Sequence, residues 1–490
     1  MKPIIETKTN VKHQVVCIPG DGIGPEVVES ARSIISAAGV SIDWHEALAG
    51  KQAFESGIVS GVPKETLELL ETTKVALKGP LETPIGHGGK SANVTLRKHF
   101  ETFANVRPVR ELPGIKTPYA GRGINLVVVR ENVEDLYAGI EHTQTPDVAQ
   151  CLKLISTKGC EKISRFAFGL AKAEQRGRVH VATKANIMKQ TEGMMKRVFE
   201  KVSDEYPDID GQHILIDNCA HQLVIRPEQF EVIVTTNMNG DIISDLTSGL
   251  VGGLGLAPSA NIGHEVAVFE AVHGSAPDIA GQDKANPIAI ILSSLMMLQH
   301  LGEWQAAARI RAALDAVLNS DVGWPADISA GRQVLGTAAF TAEIIEQLDE
   351  QVKTEAKAQE PWPIPERSLE VVSNYPEKEE VVGIDVFVSF DGSVSVLSEL
   401  LDEATQGTFY SLKMISNRGT MVYPESGANP DCVDHWRCRF VLSEPIPKLK
   451  VRLIEPLLWR IEGNGITWMH LEKLHRFDGE DAFTKAQGEN

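Results

Sequence analysis

Three arginines recur within 34 residues of one another, each in a different polar motif: Arg97 in KSANVTLR, Arg107 in NVRPVR and Arg130 in VVVREN. A guanidinium group donates hydrogen bonds in a planar fork that matches a carboxylate. Three converging arginines would therefore suit a di- or tricarboxylic acid better than a phosphate monoester. The alternative is three unrelated surface ion pairs, and spacing alone leaves both open.

Three aspartates form the acidic counterpart. Asp217 follows a predicted strand, while Asp241 and Asp245 stand four residues apart in GDIISD, on one face of a predicted helix. Carboxylates so placed repel each other, and a divalent cation would remove the repulsion. With no pair of histidines nearby, such oxygen ligands favour Mg²⁺ or Mn²⁺ over zinc. The alternative is a helix start whose acids complement the macrodipole.

A glycine-rich turn at residues 20–26, GDGIGPE, invites comparison with a dinucleotide-binding fingerprint. Asp43 stands about where a ribose-binding acid would be expected. However, Pro25 occupies the position of the third glycine. We therefore interpret the turn as one that packs a strand on a helix and not as a Rossmann site.

The elements that must position these residues alternate along the chain. Short apolar runs predict buried strands, and a 3.6-residue apolar period predicts helices, so we expect a mixed α/β fold. The predicted strands are 14–19, 75–78, 124–130, 178–183, 212–217 and 232–235, and the main predicted helices are 27–38, 160–175, 186–206 and 288–302.

Length, composition and charge exclude several classes of protein. The chain has 490 residues, about three times the usual ~150-residue domain, so two or three cores are expected. No apolar run approaches the ~18 residues of a membrane span, and a net charge of −18 would repel nucleic acid. We expect neither a nucleic-acid nor a membrane partner. Six scattered cysteines and no signal-type N-terminus predict reduced thiols and a cytoplasmic or organelle-matrix location.

The C-terminal quarter differs in composition from the rest. Residues 351–380 are rich in charge and proline and predict a linker. Residues 381–490 then read as β-α-β-β-α-β, a ferredoxin-like or ACT-like domain, with a helix at 448–461 that is entered or kinked at Pro456. Such a domain would serve either oligomerisation or ligand sensing.

Seven motifs occur in one order: GDGIGPE, SANVTLR, NVRPVR, VVVRENVEDLYAG, TKANIMK, NGDIISDLTSGLVGGLGLAPSANIG and HGSAPDIAGQDKANP. Together they resemble the decarboxylating isocitrate and isopropylmalate dehydrogenases, from about residue 15 to 349. The C-terminal extension resembles that of longer bacterial isocitrate dehydrogenases. The resemblance implies that family's two-domain, non-Rossmann α/β fold with a clasp. The implied boundaries are 1–102 and 253–350 for a large domain, 103–252 for a small domain, and about 138–158 for the clasp.

The resemblance also implies a division of roles in an oxidative decarboxylation that yields a 2-oxo acid. The arginines would bind substrate carboxylates, and the three aspartates would hold the metal, at least one of them supplied by a neighbouring subunit. Tyr137 and Lys184 match the family's proton-transfer pair, with Lys184 reaching in from the partner chain. A homodimer with shared active sites follows, and a higher oligomer through the C-terminal domain remains open. A non-catalytic regulatory subunit is the alternative of a different class.

The substrate is predicted from Ser91 and Asn93. Isopropylmalate dehydrogenases resemble one another in having apolar residues here, whereas a hydroxyl and an amide can hydrogen-bond a third carboxylate. Isocitrate is favoured, and homoisocitrate, one methylene longer, is not excluded. Ser91 can at the same time cap a helix that starts at Asn93.

The cofactor is predicted from the loop after HGSAP. NADP-linked relatives resemble one another in placing Lys-Tyr next, but this chain has Asp278 and Ile279. Because a carboxylate accepts hydrogen bonds from ribose hydroxyls and repels a phosphate, we predict NAD, with NADP as the alternative. Glu82 stands where some relatives carry threonine beside the nicotinamide. The full set of predicted cofactor contacts is Glu82, Thr83, Gly255, His273, Gly274, Asp278, Ile279 and Asn286.

Overall fold

The computed structural model describes residues 12–82, 91–350, 360–366, 376–425, 427–428 and 430–489. These fall into two units. The first comprises the described residues of Met1–Tyr137 and Leu154–Val371, and the second those of Ala138–Lys153 and Val372–Asn490.

The strands of the described residues follow in chain order. They are β1 His13–Ile18, β2 Ile42–Glu46, β3 Val75–Lys78, β4 Ala104–Arg110, β5 Asn125–Glu131, β6 Glu141–Thr145, β7 Val148–Cys151, β8 Arg178–Thr183, β9 Asp210–Leu215, β10 Val232–Thr235, β11 Pro258–Ile262, β12 Ala267–Ala271, β13 Glu379–Ser389, β14 Tyr410–Asn417, β15 Thr420–Tyr423, β16 His435–Ile446, β17 Thr467–Phe477 and β18 Glu480–Asp481.

The α-helices of the described residues are numbered in the same way. They are α1 Gly24–Ala37, α2 Lys51–Glu55, α3 Lys64–Thr73, α4 Ala92–His99, α5 Thr157–Ala173, α6 Thr191–Ser203, α7 Ile216–Ile225, α8 Asn237–Leu250, α9 Ile288–His300, α10 Trp304–Asn319, α11 Thr337–Glu350, α12 Val394–Thr405 and α13 Val451–Gly463.

The first unit is built on a ten-stranded sheet in the order β2-β1-β3-β12-β11-β4-β5-β10-β8-β9. Its two wings are parallel, while β12, β11, β4 and β5 are joined by antiparallel pairings at the centre. Strands such as β3 and β10 are buried along their whole length, as expected where helices cover both faces of a sheet. The antiparallel pairing of β4 with β5 places Arg107 and Arg130, from two of the polar motifs, on neighbouring strands.

The GDGIGPE turn is a close-packing device. A Cβ atom on Gly22 would lie 2.0 Å from the carbonyl O of Ser275, and one on Gly24 would lie 2.2 Å from the carbonyl O of Pro19. Pro25 follows in the first turn of α1, where its missing N–H costs nothing. Only glycine permits these approaches, which supports the packing interpretation of the turn.

The second unit contains a six-stranded antiparallel sheet in the order β15-β14-β16-β13-β17-β18. Its four main strands follow the ferredoxin-like order, with α12 and α13 supplying the apolar cover. The β6–β7 hairpin, inside the predicted clasp, also belongs to this unit, and Thr145 Oγ1 donates to Asp434 Oδ1 at 2.8 Å. Asp385, Arg439 and Glu489 form a buried ion-pair chain that holds the C-terminal segment.

The predicted fold class is confirmed, with local corrections to its elements. The strand predicted at 212–217 ends at Leu215, so Asp217 lies in the first turn of α7. The helix predicted at 186–206 begins at Thr191. Helix α13 continues through Pro456 and does not start there. Most of the predicted linker lies outside the described residues, and the predicted domain boundaries stay predictions.

None of the helices in the described part of the chain combines the length and apolar character needed to cross a bilayer.

Candidate active site

The three arginines converge from three elements. Arg107 lies on β4 and Arg130 on the adjacent β5, both buried, while Arg97 lies in the last turn of α4. Burial lowers the pKa of Arg130 to about 10, and the nearby positive charges of Arg97 and Arg107 contribute to this shift. Burial and Arg97 likewise lower the pKa of Arg107. The spacing of the three arginines left open whether they converge or form unrelated surface ion pairs. The structure therefore supports convergence.

Buried polar side chains fix each guanidinium group. Asn105 Oδ1 accepts from Arg107 Nε at 2.7 Å, and Asn237 Oδ1 accepts from Arg130 Nε at 3.0 Å and from its Nη2 at 2.8 Å. Beneath Arg130, Gly240 leaves room for the side chain, because a Cβ there would lie 2.5 Å from Arg130 Cγ. The arginines are thus held in place before any ligand binds.

Glu270 holds the third arginine. Its carboxylate lies 3.2 Å from Arg97 Nη2 and 2.6 Å from Lys78 Nζ, and all three side chains are buried or nearly so. Burial alone would raise the pKa of Glu270, but Lys78 and Arg97 hold it far below its ordinary value. Neither Glu270 nor Lys78 was predicted from the sequence. The signal available was a charged residue near the end of each of two short apolar strands, β12 and β3.

The aspartates of α8 face this cluster. Asp241 forms an ion pair with Arg130, and Asp245 Oδ1 lies 3.3 Å from Arg107 Nη1. The Tyr137 hydroxyl donates to Asp241 Oδ2 at 2.7 Å, and the Arg130 guanidinium carbon lies 4.9 Å from the Tyr137 ring centre. One cluster therefore combines three arginines, the carboxylates of Asp241, Asp245 and Glu270, and the phenol of Tyr137.

The charges of this cluster set its proton states. Burial alone would raise the pKa of Asp241, but Arg130, the Tyr137 hydroxyl and Arg107 hold it below its ordinary value. Burial raises the pKa of Asp245, and the neighbouring Asp241 adds to this against Arg107. Burial and the bond to Asp241 raise the pKa of Tyr137. The phenol therefore carries its proton at neutral pH.

Lys184 and Asp217 form a separate pair. Lys184 follows β8, Asp217 lies at the start of α7, and Lys184 Nζ is 3.0 Å from Asp217 Oδ2. The bond from Lys184 lowers the pKa of Asp217, whose side chain is 63% exposed. Among the described residues, no ion pair joins Lys184 or Asp217 to the arginine cluster, and no three metal-ligating side chains stand together. A single chain thus brings Asp241 and Asp245 together without Asp217.

The donors present fit a hard divalent cation in part. Asp241 and Asp245 supply carboxylate oxygens from one helix face, and Asp245 is destabilised as an anion by burial and by Asp241. A cation beside them would relieve this cost. Among the described residues, no third metal-ligating side chain stands with these two.

Ser91 and Asn93 lie at the start of α4. The helix begins at Ala92, with Ser91 at the N-cap position, but the Ser91 side chain accepts no hydrogen bond from the first turn, contrary to the capping alternative. Asn93 Oδ1 is buried and has no hydrogen-bond partner among the described residues. Asn93 and Arg97 stand four residues apart and share a helix face. The unpaired amide oxygen of Asn93 therefore lies beside Arg97, a candidate for substrate binding.

Of the residues predicted to contact the cofactor, Gly255 and Asn286 lie side by side, whereas Glu82 contacts residues outside the predicted set. Ser275 Oγ donates to Glu82 Oε1 at 3.0 Å, and Lys51 Nζ lies 3.7 Å from Glu82 Oε2. Asn286 Nδ2 donates to Asp327 Oδ2 at 3.0 Å, and a Cβ on Gly255 would lie 2.8 Å from that same oxygen. Thr83 lies outside the described residues.

The remaining predicted cofactor contacts follow β12. His273 Nδ1 donates to the carbonyl O of Gly274 at 2.9 Å, and its Nε2 is buried with no partner among the described residues. Burial lowers the pKa of His273, so the ring is neutral. Asp278 and Ile279 lie on a 3₁₀ turn, Pro277–Ile279, with Asp278 exposed and Ile279 half-buried.

Comparison with known proteins decides the family. Residues 14–347 match the family described as isocitrate/isopropylmalate dehydrogenase, and residues 379–489 match the bacterial isocitrate dehydrogenase C-terminal domain. The chain belongs to the isocitrate/isopropylmalate dehydrogenase family. The predicted resemblance is thereby confirmed for both parts of the chain.

Members of the isocitrate/isopropylmalate dehydrogenase family with a similar length resemble this chain closely. It is 54% identical to a Thermus thermophilus protein named isocitrate dehydrogenase (NADP), with full coverage of both chains. It is 39% identical to a Rickettsia bellii protein of the same name, covering 96% of this chain and 98% of the relative. A crystal structure of a Thermus thermophilus protein matches at 55% identity with a TM-score of 0.94, covering 100% of both chains.

The prediction of NAD is wrong. The Thermus and Rickettsia relatives, which align along nearly their whole length, are named NADP enzymes. The prediction rested on Asp278 and Ile279 alone. Asp278 is exposed, so water and salt screen its charge. A cation also lies on the same loop: Gln282 Nε2 donates to the carbonyl O of Asp278 at 2.7 Å, and Lys284 Nζ donates to Gln282 Oε1 at 2.9 Å. One exposed carboxylate therefore does not determine whether the electrostatic potential around the 2′-phosphate of the cofactor is positive or negative.

Proposed function

We propose that this chain is an NADP-dependent isocitrate dehydrogenase, which converts isocitrate to 2-oxoglutarate and CO₂ with the help of a divalent cation. The observation that carries the proposal is the cluster of Arg97, Arg107 and Arg130 facing Asp241 and Asp245. Family membership and 54% identity to a relative named for this activity support it.

The arginines bind the substrate carboxylates. Their guanidinium groups are buried or nearly so and held by neighbouring side chains, so a carboxylate that replaces water there gains charge-assisted hydrogen bonds without reorganisation. The Asn93 side-chain amide, through its N–H groups, and the Ser91 hydroxyl provide the hydrogen-bond donors for the third carboxylate. These contacts distinguish isocitrate from isopropylmalate, which has an alkyl group instead.

Asp241 and Asp245, with Asp217 of the partner subunit, would hold the cation. A bound Mg²⁺ or Mn²⁺ would supply the Lewis-acid chemistry that acidifies the substrate hydroxyl and stabilises negative charge on its oxygen, and NADP⁺ would supply the hydride acceptor. We assign the adenosine contacts to His273 and to Asn286, which lies beside Gly255, and a contact near the nicotinamide to Glu82.

Two side chains move protons. The partner subunit's Lys184, as the neutral amine, takes the proton of the 2-hydroxyl group. Tyr137 then protonates C3 of the enolate, and its raised pKa keeps the required proton on the phenol at neutral pH. Asp241 Oδ2 accepts a hydrogen bond from the Tyr137 hydroxyl at 2.7 Å, which holds the phenol beside the arginine cluster.

The enzyme works as a homodimer with shared sites in the cytoplasm. Exposed apolar side chains on α7 and α8 support such an interface: Val224 and Ile225 are 48% and 49% exposed, and Ile242 is 57% exposed. Ile242 stands beside Asp241 on the same helix, so the same interface would bring a partner's residues to the cluster.

The test is an assay of the purified full-length chain with isocitrate, Mg²⁺ or Mn²⁺, and each nicotinamide cofactor. We expect NADPH formation, a higher kcat/KM for NADP⁺ than for NAD⁺, and loss of activity with EDTA that added Mn²⁺ restores. Isopropylmalate and homoisocitrate should react far more slowly. A preference for NAD⁺ or for either other acid would contradict the proposal, and inactivity of the folded protein would favour a regulatory subunit.

A further inference from the structure

A cavity of about 550 Å³ lies in the first unit, on the other side of the ten-stranded sheet from the arginine cluster. Pro108 of β4 and Phe269 of β12 line it, whereas the adjacent Arg107 and Glu270 belong to the arginine cluster. Successive side chains of a strand point to opposite faces of a sheet. The cavity is therefore distinct from the proposed active site.

Apolar atoms form somewhat more than half of the cavity wall. Helix α9 contributes one face, with Leu292, Leu295 and Met296 each 7–8% exposed, although the helix residues preceding them are fully buried. Trp362 closes another side and is held there by its Nε1, which donates to Glu174 Oε1 at 3.1 Å. The volume lies within the range of pockets that enclose small molecules, about 300–1,000 Å³.

An arginine that is partly exposed to solvent lies at the rim, with the carboxylate of Glu174 also in the cavity lining. Arg110 lines the cavity, and its Nε donates to Asn125 Oδ1 at 2.8 Å. In the part of the chain that the structure describes, its two terminal amino groups have no hydrogen-bond or ion-pair partner. The neighbouring Arg176 and Arg311 are each paired with a carboxylate, at 2.8 and 2.9 Å. Burial lowers the pKa of Arg110, and these two cations add to the effect against Glu174.

We propose that this cavity binds a small amphipathic anion. Its apolar body lies on Leu292, Leu295 and Met296 beneath Trp362, and its carboxylate, or an anion of similar geometry, accepts hydrogen bonds from the terminal amino groups of Arg110. An anion there accepts charge-assisted hydrogen bonds from amino groups that have no partner among the described residues, and an apolar body displaces water from the apolar part of the wall.

The experiment uses two fluorescent probes on the full-length protein. The anionic probe is 8-anilino-1-naphthalenesulfonate, and N-phenyl-1-naphthylamine has a similar aromatic body without the sulfonate. We expect saturable binding of the anionic probe at one site per chain. Arg110→Gln should weaken that binding about tenfold, the order expected for loss of charge-assisted hydrogen bonds, and leave the neutral probe unchanged. Arg178→Gln, which removes an exposed arginine outside the cavity, is the charge control.

A matched pair of variants localises the probe. Ala308 lines the cavity on α10, so Ala308→Trp should fill it and abolish binding of both probes. Ala312→Trp, one turn further along the same helix and outside the lining, should leave binding intact. Circular dichroism and dehydrogenase activity establish that each variant folds. Unchanged binding in Ala308→Trp, equal binding of the anionic probe by Arg110→Gln and the unmutated chain, or no saturable binding at all would each overturn the proposal.

Discussion

Glu270 is the buried carboxylate that Lys78 and Arg97 share. A substitution of Glu270 therefore tests how the arginine cluster is held in position. In Glu270→Gln, two buried cations lose their counter-charge, so Arg97 should lose its fixed position and the fold should lose about 3–5 kcal/mol. We expect the KM for isocitrate to rise at least tenfold, with a smaller change in kcat, and a lower melting temperature. Steady-state kinetics and calorimetry measure these quantities.

The control for this variant is Glu265→Gln, which removes an exposed carboxylate 2.7 Å from Lys74. Exposed ion pairs contribute little, so this change should leave both KM and melting temperature within error of the unmutated chain. A Glu270→Gln enzyme with an unaltered KM would mean that Arg97 keeps its position without this carboxylate. Destabilisation of both variants to the same extent would show that the loss is not specific to the buried site.

At the residue scale, the sequence predicted the members of the cluster better than their partners. Arg97, Arg107 and Arg130 stand in polar motifs whose residue types point to a carboxylate ligand. Glu270, in contrast, sits in a run of apolar residues, and only the tertiary structure shows that its charge serves Arg97. The cofactor prediction failed for a related reason: Asp278 was weighed alone, and the charge of a site is set by all the side chains around it.

At the scale of elements, short apolar strands were the best-predicted features. Strands β3, β8 and β10 begin and end at the predicted residues because each is a brief buried run with polar or glycine-bearing neighbours. Asp217 was predicted to end a strand but lies in the first turn of the following helix, α7. The apolar residues at the end of β9 continue into α7, so the sequence pattern does not show the boundary between them. The boundary mattered, because a residue in the first turn of a helix points differently from one in a strand.

Three strands of the second unit carry a stacked row of aromatic rings, two of which are histidines. These histidines should make the stability of that unit fall at low pH. Phe387 stacks on His470 at 4.1 Å and on His435 at 5.6 Å, and both histidine Nε2 atoms are buried without a partner among the described residues. Burial lowers the pKa of both histidines. The pKa of His435 is further lowered by His470, and that of His470 by His142, against the opposing carboxylates of Asp434 and Glu472.

The sign of the effect follows from linkage. A histidine whose pKa in the folded state lies below its unfolded value of 6.5 costs stability as pH falls below 6.5, because the unfolded chain takes up protons first. The melting temperature should therefore fall between pH 7.5 and pH 5.5. In a double variant with His435→Phe and His470→Phe the fall should be smaller. His475→Phe, on the same strand β17, is the control, and an equal pH dependence in all three proteins would contradict the prediction.

At the scale of the whole molecule, one chain divides the proposed catalytic groups between two places. Tyr137, Asp241 and Asp245 lie in the arginine cluster, whereas Lys184 pairs with Asp217 at 3.0 Å outside it. Sequence predicted this division only through the family resemblance, because no local pattern reports which residues meet across a subunit interface. The division gives the proposed dimer a function: a site is complete only where two chains meet.

Mixing two inactive variants tests this directly. Lys184→Met removes the group that the proposal assigns to the partner's site, and Asp241→Asn removes one that serves the chain's own site. Each homodimer should be inactive. After joint refolding, half of the dimers should be mixed, each with one intact site, so about a quarter of the unmutated activity should return. Size-exclusion chromatography confirms that dimers form. If Lys184 acted within its own chain, every site would carry one lesion and no activity would return.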